Sequence, residues 1–281
     1  MLKQRVVTAL ALLACFLPAL FWHDPRPFCG LMLLLIAAGA WEWSRLNGYR
    51  QATALGAALV FFVLCLSSWA LGWLTQPLPW LWRLAGVVWV LGGGWLLHRG
   101  VGAWSGLDPR LRLLTGIVVL WVAWLAAAQA RMVGPNFLLS VLALVWVADI
   151  AAYFSGRKWG GRFATAKLAP TISPGKSWEG VWGGLAGVLV VALLWQWVDS
   201  RWSFDVPSLY TQLSLRGAPI LIVGVVFLTS MSVVGDLLES LVKRSAGVKD
   251  SSGLLPGHGG VLDRLDALLP AIPLAMMLLA D

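Results

Sequence analysis

Between Ser240 and Asp266 the chain reads SLVKRSAGVKDSSGLLPGHGGVLDRLD, with four basic residues (Lys243, Arg244, Lys249, Arg264) and three acidic ones (Asp250, Asp263, Asp266). His258 stands among five glycines there, and Asp236 and Glu239 lie just upstream. Carboxylates are hard ligands for a divalent cation, which in turn binds phosphate oxygens. Lysine and arginine neutralise phosphate charge directly. The mixture suits a site that holds a metal ion and a polyphosphate together. Asp236 ends one apolar stretch and Asp263 opens the next, so both should lie at one membrane depth as the metal ligands. Lys243, Arg244 and Lys249 read as clamps on phosphate charge, and His258 can reach phosphate or carry a proton. Plainer roles stay open: helix capping for Asp263 and Asp266, a one-turn pair between Glu239 and Lys243, and lipid-headgroup contact for the cations.

A second group lies upstream. Asp149 is a carboxylate inside an apolar run, which costs roughly 2.5–3.5 kcal/mol at the centre of a span. Tyr153 follows one helical turn on, so both can face one surface, and Arg157 lies one turn further. These three are expected to line a site, unless water or Arg157 alone satisfies Asp149. In the loop SGRKWGGRFATAKLAPTISPGKSWEG, Lys176-Ser177 after Gly175 invites a phosphate-loop reading. That reading fails, because the motif wants a glycine where this chain has Pro170. Ser173-Pro174, Lys176 and Ser177 instead predict a turn that presents hydroxyls and an ammonium at a helix N-terminus, a natural anion site. Ordinary capping with basic flanks is the alternative.

The elements that must position these residues are apolar. The chain has 281 residues, 59% of them hydrophobic and 19 of them tryptophan. Continuous runs near the membrane-spanning length of about 20 residues argue for helices and against a barrel. The expected fold is all-α, a polytopic transmembrane bundle of about nine spans: Val6–Trp22, Phe28–Trp43, Ala54–Leu74, Trp80–Leu97, Leu113–Ala130, Phe137–Phe154, Gly180–Val198, Ala218–Val234 and Leu265–Leu279. The first two are short. Placing the N-terminus in the cytoplasm puts 16 of the 21 Lys and Arg on that side and 5 on the other, the bias the positive-inside rule requires.

Residues 1–135 then form N-terminal transmembrane helices that serve as a scaffold. Residues 136–281 form a catalytic region with cytoplasmic loops 155–179 and 235–264. The outer loop 199–217 is expected on the far membrane surface, and Gly92-Gly93-Gly94 to permit close packing or a kink. The net charge of +8 fits the loop bias and anionic headgroups, so no nucleic-acid partner is expected. Cys15, Cys29 and Cys65 lack metal-type spacing. Lys3 and Arg5 before an apolar run resemble a signal peptide, but export would reverse the charge bias, so an uncleaved first span is expected. A transporter reading of Asp149 fits poorly, because the charges cluster at one face.

Ser240, Lys243-Arg244, Lys249-Asp250, Ser252, Leu255-Pro256, His258-Gly259-Gly260 and Asp263-Arg264-Leu265-Asp266 resemble the signature of the phosphatidate cytidylyltransferases (CDP-diacylglycerol synthases). Asp149, Tyr153, Gly156, Ser173-Pro174, Lys176-Ser177 and Glu179-Gly180 resemble that family's second shared region, so the likeness covers roughly residues 140–270. It implies cytidylyl transfer from CTP to phosphatidate, giving CDP-diacylglycerol and pyrophosphate at the cytoplasmic face of a bacterial inner membrane. It further implies Mg²⁺ held by Asp236 and Asp263, with a monovalent cation such as K⁺ beside it. Catalytic roles fall to Lys176, Lys243, Arg244, Lys249 and His258. Substrate contacts fall to Asp149, Tyr153, Arg157, Ser173, Ser177, Ser240 and Arg264. Membrane lipids and a second copy of the chain, as a homodimer, are the expected partners. A CTP-dependent polyprenol or phytol kinase is the nearest rival; its alcohol acceptor needs a general base, for which His258 or Asp149 would serve.

Overall fold

The computed structural model describes residues 2–202, 204 and 206–280, and the described elements are helical. In chain order they are α1 (Leu2–Phe21), α2 (Arg26–Leu46), α3 (Gln51–Ala70), α4 (Pro79–Val87), a π-helical stretch (Val88–Gly93), α5 (Gly94–Arg99), α6 (Val101–Ser105), α7 (Pro109–Val133), α8 (Pro135–Trp159), α9 (Trp178–Arg201), α10 (Leu209–Leu215), α11 (Ala218–Ser245), α12 (Leu262–Leu265) and α13 (Leu268–Ala280). Proline at the first turn starts α2, α4, α7, α8 and α11, where its missing N–H costs no hydrogen bond. Asp108 caps α7 through the Arg110 N–H, and Ser177 caps α9 through the Gly180 N–H.

Seven of the described helical segments are long and apolar enough to cross a membrane: α2, α3, Pro79–Arg99 (α4 through α5), α7, α8, α9 and α11. The protein is therefore a membrane protein. The difference from nine falls at the ends of the chain. The apolar part of α1 covers only Val6–Phe21, and α13 has 13 residues with Pro273 inside it. The core runs through both halves of the chain, with Phe28, Phe61, Trp82, Trp124, Phe137, Leu241 and Leu274 all nearly inaccessible. Large apolar side chains such as Leu55, Leu59, Leu193 and Leu194 point outward, as a lipid-facing belt requires.

Loop 199–217, of which Ser203 and Asp205 lie outside the described residues, has the amphipathic middle the sequence suggests. Its helix α10 is packed into the bundle, with Leu209, Tyr210 and Leu213 buried. Ser140 Oγ accepts the Leu209 N–H, and Asp199 accepts from Ser208 and Thr211. Polar groups of this loop thus find partners on α8 and α9.

The tightest packing joins α8 to α9 along Gly180, Gly183, Gly184 and Gly187, two interleaved small-xxx-small patterns. A Cβ on Gly183 would lie 1.9 Å from Ser155 Oγ, and one on Gly187 2.7 Å from Ala151 Cβ. The helices meet backbone to backbone. At the glycine run Gly92-Gly93-Gly94 the helix widens to a π turn, and a Cβ on Gly93 would come 3.1 Å from Leu238. We expect Gly183→Val to force α8 and α9 apart, at a cost of about 1–3 kcal/mol. Thermal unfolding in detergent should show a lowered midpoint; an unchanged one would mean the contact is not close.

Candidate active site

The polar residues meet at one end of the bundle. Asp149, Tyr153 and Arg157 rise along α8 at one-turn intervals and line a cavity of about 410 Å³ with Gly156, Lys176, Ser177, Gly180 and Asp236. Three elements converge there: α8, the turn that leads into α9, and the middle of α11. Lys176 Nζ lies 2.5 Å from Asp236 Oδ2, and Ser240 Oγ is 3.4 Å from Asp236 Oδ1. Arg157 Nη1 donates to Tyr153 Oη at 3.1 Å. The expected turn is present: the Ser173 carbonyl accepts from the Lys176 N–H at 3.1 Å. Ser173 therefore shapes the turn and does not line the cavity, whereas Ser177 does both.

Asp263 sits just below on α12. Lys243 Nζ reaches Asp263 Oδ1 at 2.6 Å and is ion-paired with Glu239 one turn earlier on α11. Asp263 Oδ2 accepts from the Ser251 N–H (2.9 Å), Ser251 Oγ (3.0 Å) and the Gly260 N–H (2.7 Å). Gly235 and Asp266 bring α11 against the start of α13, since a Cβ on Gly235 would lie 2.4 Å from the Asp266 carbonyl. Asp236 does not end its helix as expected, because α11 runs on to Ser245; Asp236 lies within α11, and Asp263 on the short helix α12. Burial would raise the Asp263 pKa, but hydrogen bonds from Lys243, Gly260 and Ser251 outweigh it, so this carboxyl titrates below the ordinary aspartate range.

Other expected contact residues are occupied within the protein. Arg244 Nε donates to the Ile172 carbonyl at 3.2 Å and ties α11 to the first polar loop. Arg264 donates twice to the His258 carbonyl, at 2.6 and 3.2 Å, and so fixes the glycine-rich turn. His258 Nδ1 is buried without a partner among the described residues, and Lys249 is exposed.

A profile of the cytidylyltransferase family matches residues 3–280. The chain belongs to that family. It is 41% identical to the phosphatidate cytidylyltransferase of Pseudomonas aeruginosa, over 99% of this chain and 97% of that one. The identity to the phosphatidate cytidylyltransferase of Haemophilus influenzae is 38%, over 97% and 96% of the two chains. To that of Bacillus subtilis it is 38% over 52% of this chain and 48% of the other.

Sequence reasoning missed Glu42 in this cytidylyltransferase. It is fully buried on α2 and takes four hydrogen bonds from the second polar loop. Its Oε1 accepts from Ser252 Oγ (2.5 Å) and the Val261 N–H (2.9 Å), and its Oε2 from Ser251 Oγ (3.2 Å) and the Leu262 N–H (2.8 Å). The signal was available, because Glu42 is a carboxylate inside an apolar run just as Asp149 is.

Removing Glu42 would leave two buried backbone N–H groups unpaired, about 1–3 kcal/mol each. Glu42→Ala should therefore lower the unfolding midpoint and abolish activity without touching substrate. A stable, active variant would show that the loop holds itself. The Asp263 shift gives a second expectation. Because its folded pKa is depressed, its stabilisation is present above about pH 4, the unfolded aspartate value, and is lost as pH falls through the folded value. In thermal melts from pH 8 to 3, wild type should exceed Asp263→Asn near neutrality, and the gap should narrow only in acid.

Proposed function

We propose that the chain transfers the cytidylyl group of CTP to phosphatidate, forming CDP-diacylglycerol and pyrophosphate. The observation that carries this reading is the convergence of Asp149, Tyr153, Lys176 and Asp236 on one cavity at the end of an apolar bundle, in a member of the cytidylyltransferase family. A phosphate oxygen of the lipid attacks the α-phosphorus of CTP. A new P–O bond forms, the bond between the α-phosphorus and its bridging oxygen breaks, and the electron pair leaves with pyrophosphate. The lipid phosphate is already an anion at neutral pH, so the attack requires no base. What the protein must supply is positioning and charge neutralisation. Lys176 lines the cavity beside Ser177 and is suited to the nucleotide phosphates; Lys243 and Lys249 are suited to phosphate charge nearer the second loop. Arg244 and Arg264 act as positioning residues, each holding a loop carbonyl.

The donor set suits Mg²⁺. That ion is commonly bound by one or two carboxylates plus substrate phosphates. Among the described residues no group of three His, Cys, Asp or Glu side chains converges, so Asp236 and Asp263, the proposed ligands, would share the ion with phosphate oxygens. Asp236 has one oxygen paired with the Lys176 ammonium, which also lines the cavity and can turn to phosphate. Bound there, Mg²⁺ would offset the negative charge of the triphosphate. The basic loops favour a cytoplasmic site in a bacterial inner membrane, with the N-terminus on the same side and about nine apolar helices within the bilayer. The hydrogen bond from Thr8 on α1 to the Pro256 carbonyl supports that sidedness.

The test is purified protein incubated with CTP, Mg²⁺ and phosphatidate, assayed for CDP-diacylglycerol and pyrophosphate. Asp236→Asn and Asp263→Asn should each cost about a hundredfold or more in turnover; full activity in either removes that ligand. His258→Ala should keep most of its activity, whereas loss of a general base costs roughly a hundredfold or more and would favour a kinase acting on a lipid alcohol.

A further inference from the structure

Beside the cavity that holds Asp149 and Asp236 lies a second one of about 280 Å³, on the other side of Lys176. The two share Gly156, Gly175, Lys176 and Ser177. Small residues wall the second cavity, Gly160, Gly161 and Ala164 among them, so it accepts a flat ring more readily than a branched chain. Glu179 also lines it.

Glu179 is only 4% exposed, and its two oxygens are used unequally. Oε1 takes two loop contacts, from the Phe163 N–H at 3.0 Å and the Ala164 N–H at 2.9 Å, and the Gly161 and Glu179 N–H groups also act on the carboxylate. Oε2 is buried and has no hydrogen-bond partner among the described residues. Holding the loop needs one acceptor oxygen, which a glutamine would also supply. Oε2 keeps acceptor capacity for a donor that enters the cavity.

We infer that this second cavity receives the cytosine ring of the nucleotide and that Glu179 Oε2 accepts the exocyclic amine. The inference rests on the reading of the chain as a CTP-dependent enzyme and adds the group that selects the base. Carboxylates commonly accept from the cytosine amine. Uracil carries an oxygen at the same position, and two acceptors repel. With the base there, the phosphates run past Lys176 and Ser177 toward Asp236, because those residues border both cavities.

The experiment compares kcat/KM for CTP, UTP and the triphosphate of the pyrimidin-2-one ribonucleoside, which lacks the amine, in wild type and Glu179→Gln. Wild type should favour CTP over the amine-free analogue by about ten- to a hundredfold, expressed mainly in KM. In Glu179→Gln the loop keeps its acceptor but the amide nitrogen faces the base. The preference should collapse toward unity, and UTP should gain relative to CTP. Equal use of CTP and the amine-free analogue by wild type would overturn the assignment, as would a preserved preference in Glu179→Gln. A purely structural role would lower all three nucleotides together. If Glu179→Gln does not fold, the wild-type analogue series decides alone. No turnover of CTP in any of these assays would instead refute the proposed function, so the two failures are distinguishable.

Discussion

A buried ammonium between two carboxylates organises the polar end of this protein. Lys243, Glu239 and Asp263 are all largely removed from solvent. Taking Lys243 away would leave two carboxylates without their partner in a low-dielectric surrounding, which costs about 3–5 kcal/mol. From this group hydrogen bonds spread outward. Asp263 gathers Ser251 and Gly260, and Ser251 passes the contact on to Glu42. A loop rich in glycine and serine would otherwise sample many conformations; here its backbone donors end on fixed carboxylates.

The two polar loops lie far apart in sequence but are joined twice. Lys176 meets Asp236, and Arg244 meets the Ile172 carbonyl. Both joints run between α11 and the turn ahead of α9, so the phosphate-binding groups of one loop and the acidic groups of the other keep one geometry. The backbone contact of α8 with α9 supports this arrangement from below, because it fixes Asp149 and Tyr153 relative to Lys176 and Ser177.

Much of the site was legible because charged residues in an apolar chain announce themselves. Asp149, Lys176 and Asp236 were each singled out, but that they line one cavity is visible only in the structure. The lysine–carboxylate pairing at Asp263 was less legible, since spacing suggested Glu239 as the Lys243 partner and the structure gives both. Arg244 and Arg264 read as phosphate groups, and sequence could not show that each also holds a loop carbonyl with part of its guanidinium. Glu42 escaped because its partners lie more than 200 residues away. The amphipathic middle of loop 199–217 was legible, but not that Leu209, Tyr210 and Leu213 pack into the bundle. The interleaved glycines of α9 were legible as a pattern, but not which helix they met.

Glu42 has a consequence for how the molecule can be divided. The acceptor for Ser252, Val261 and Leu262 belongs to the second helix, so the segment from residue 136 onward does not contain all the groups its own loop needs. Expressed alone, that half would expose a row of orphaned donors in place of an ordered turn, and a minimal enzyme cannot be carved out by trimming the front. Evolutionary or laboratory swaps of the leading helices must carry a carboxylate at the same height.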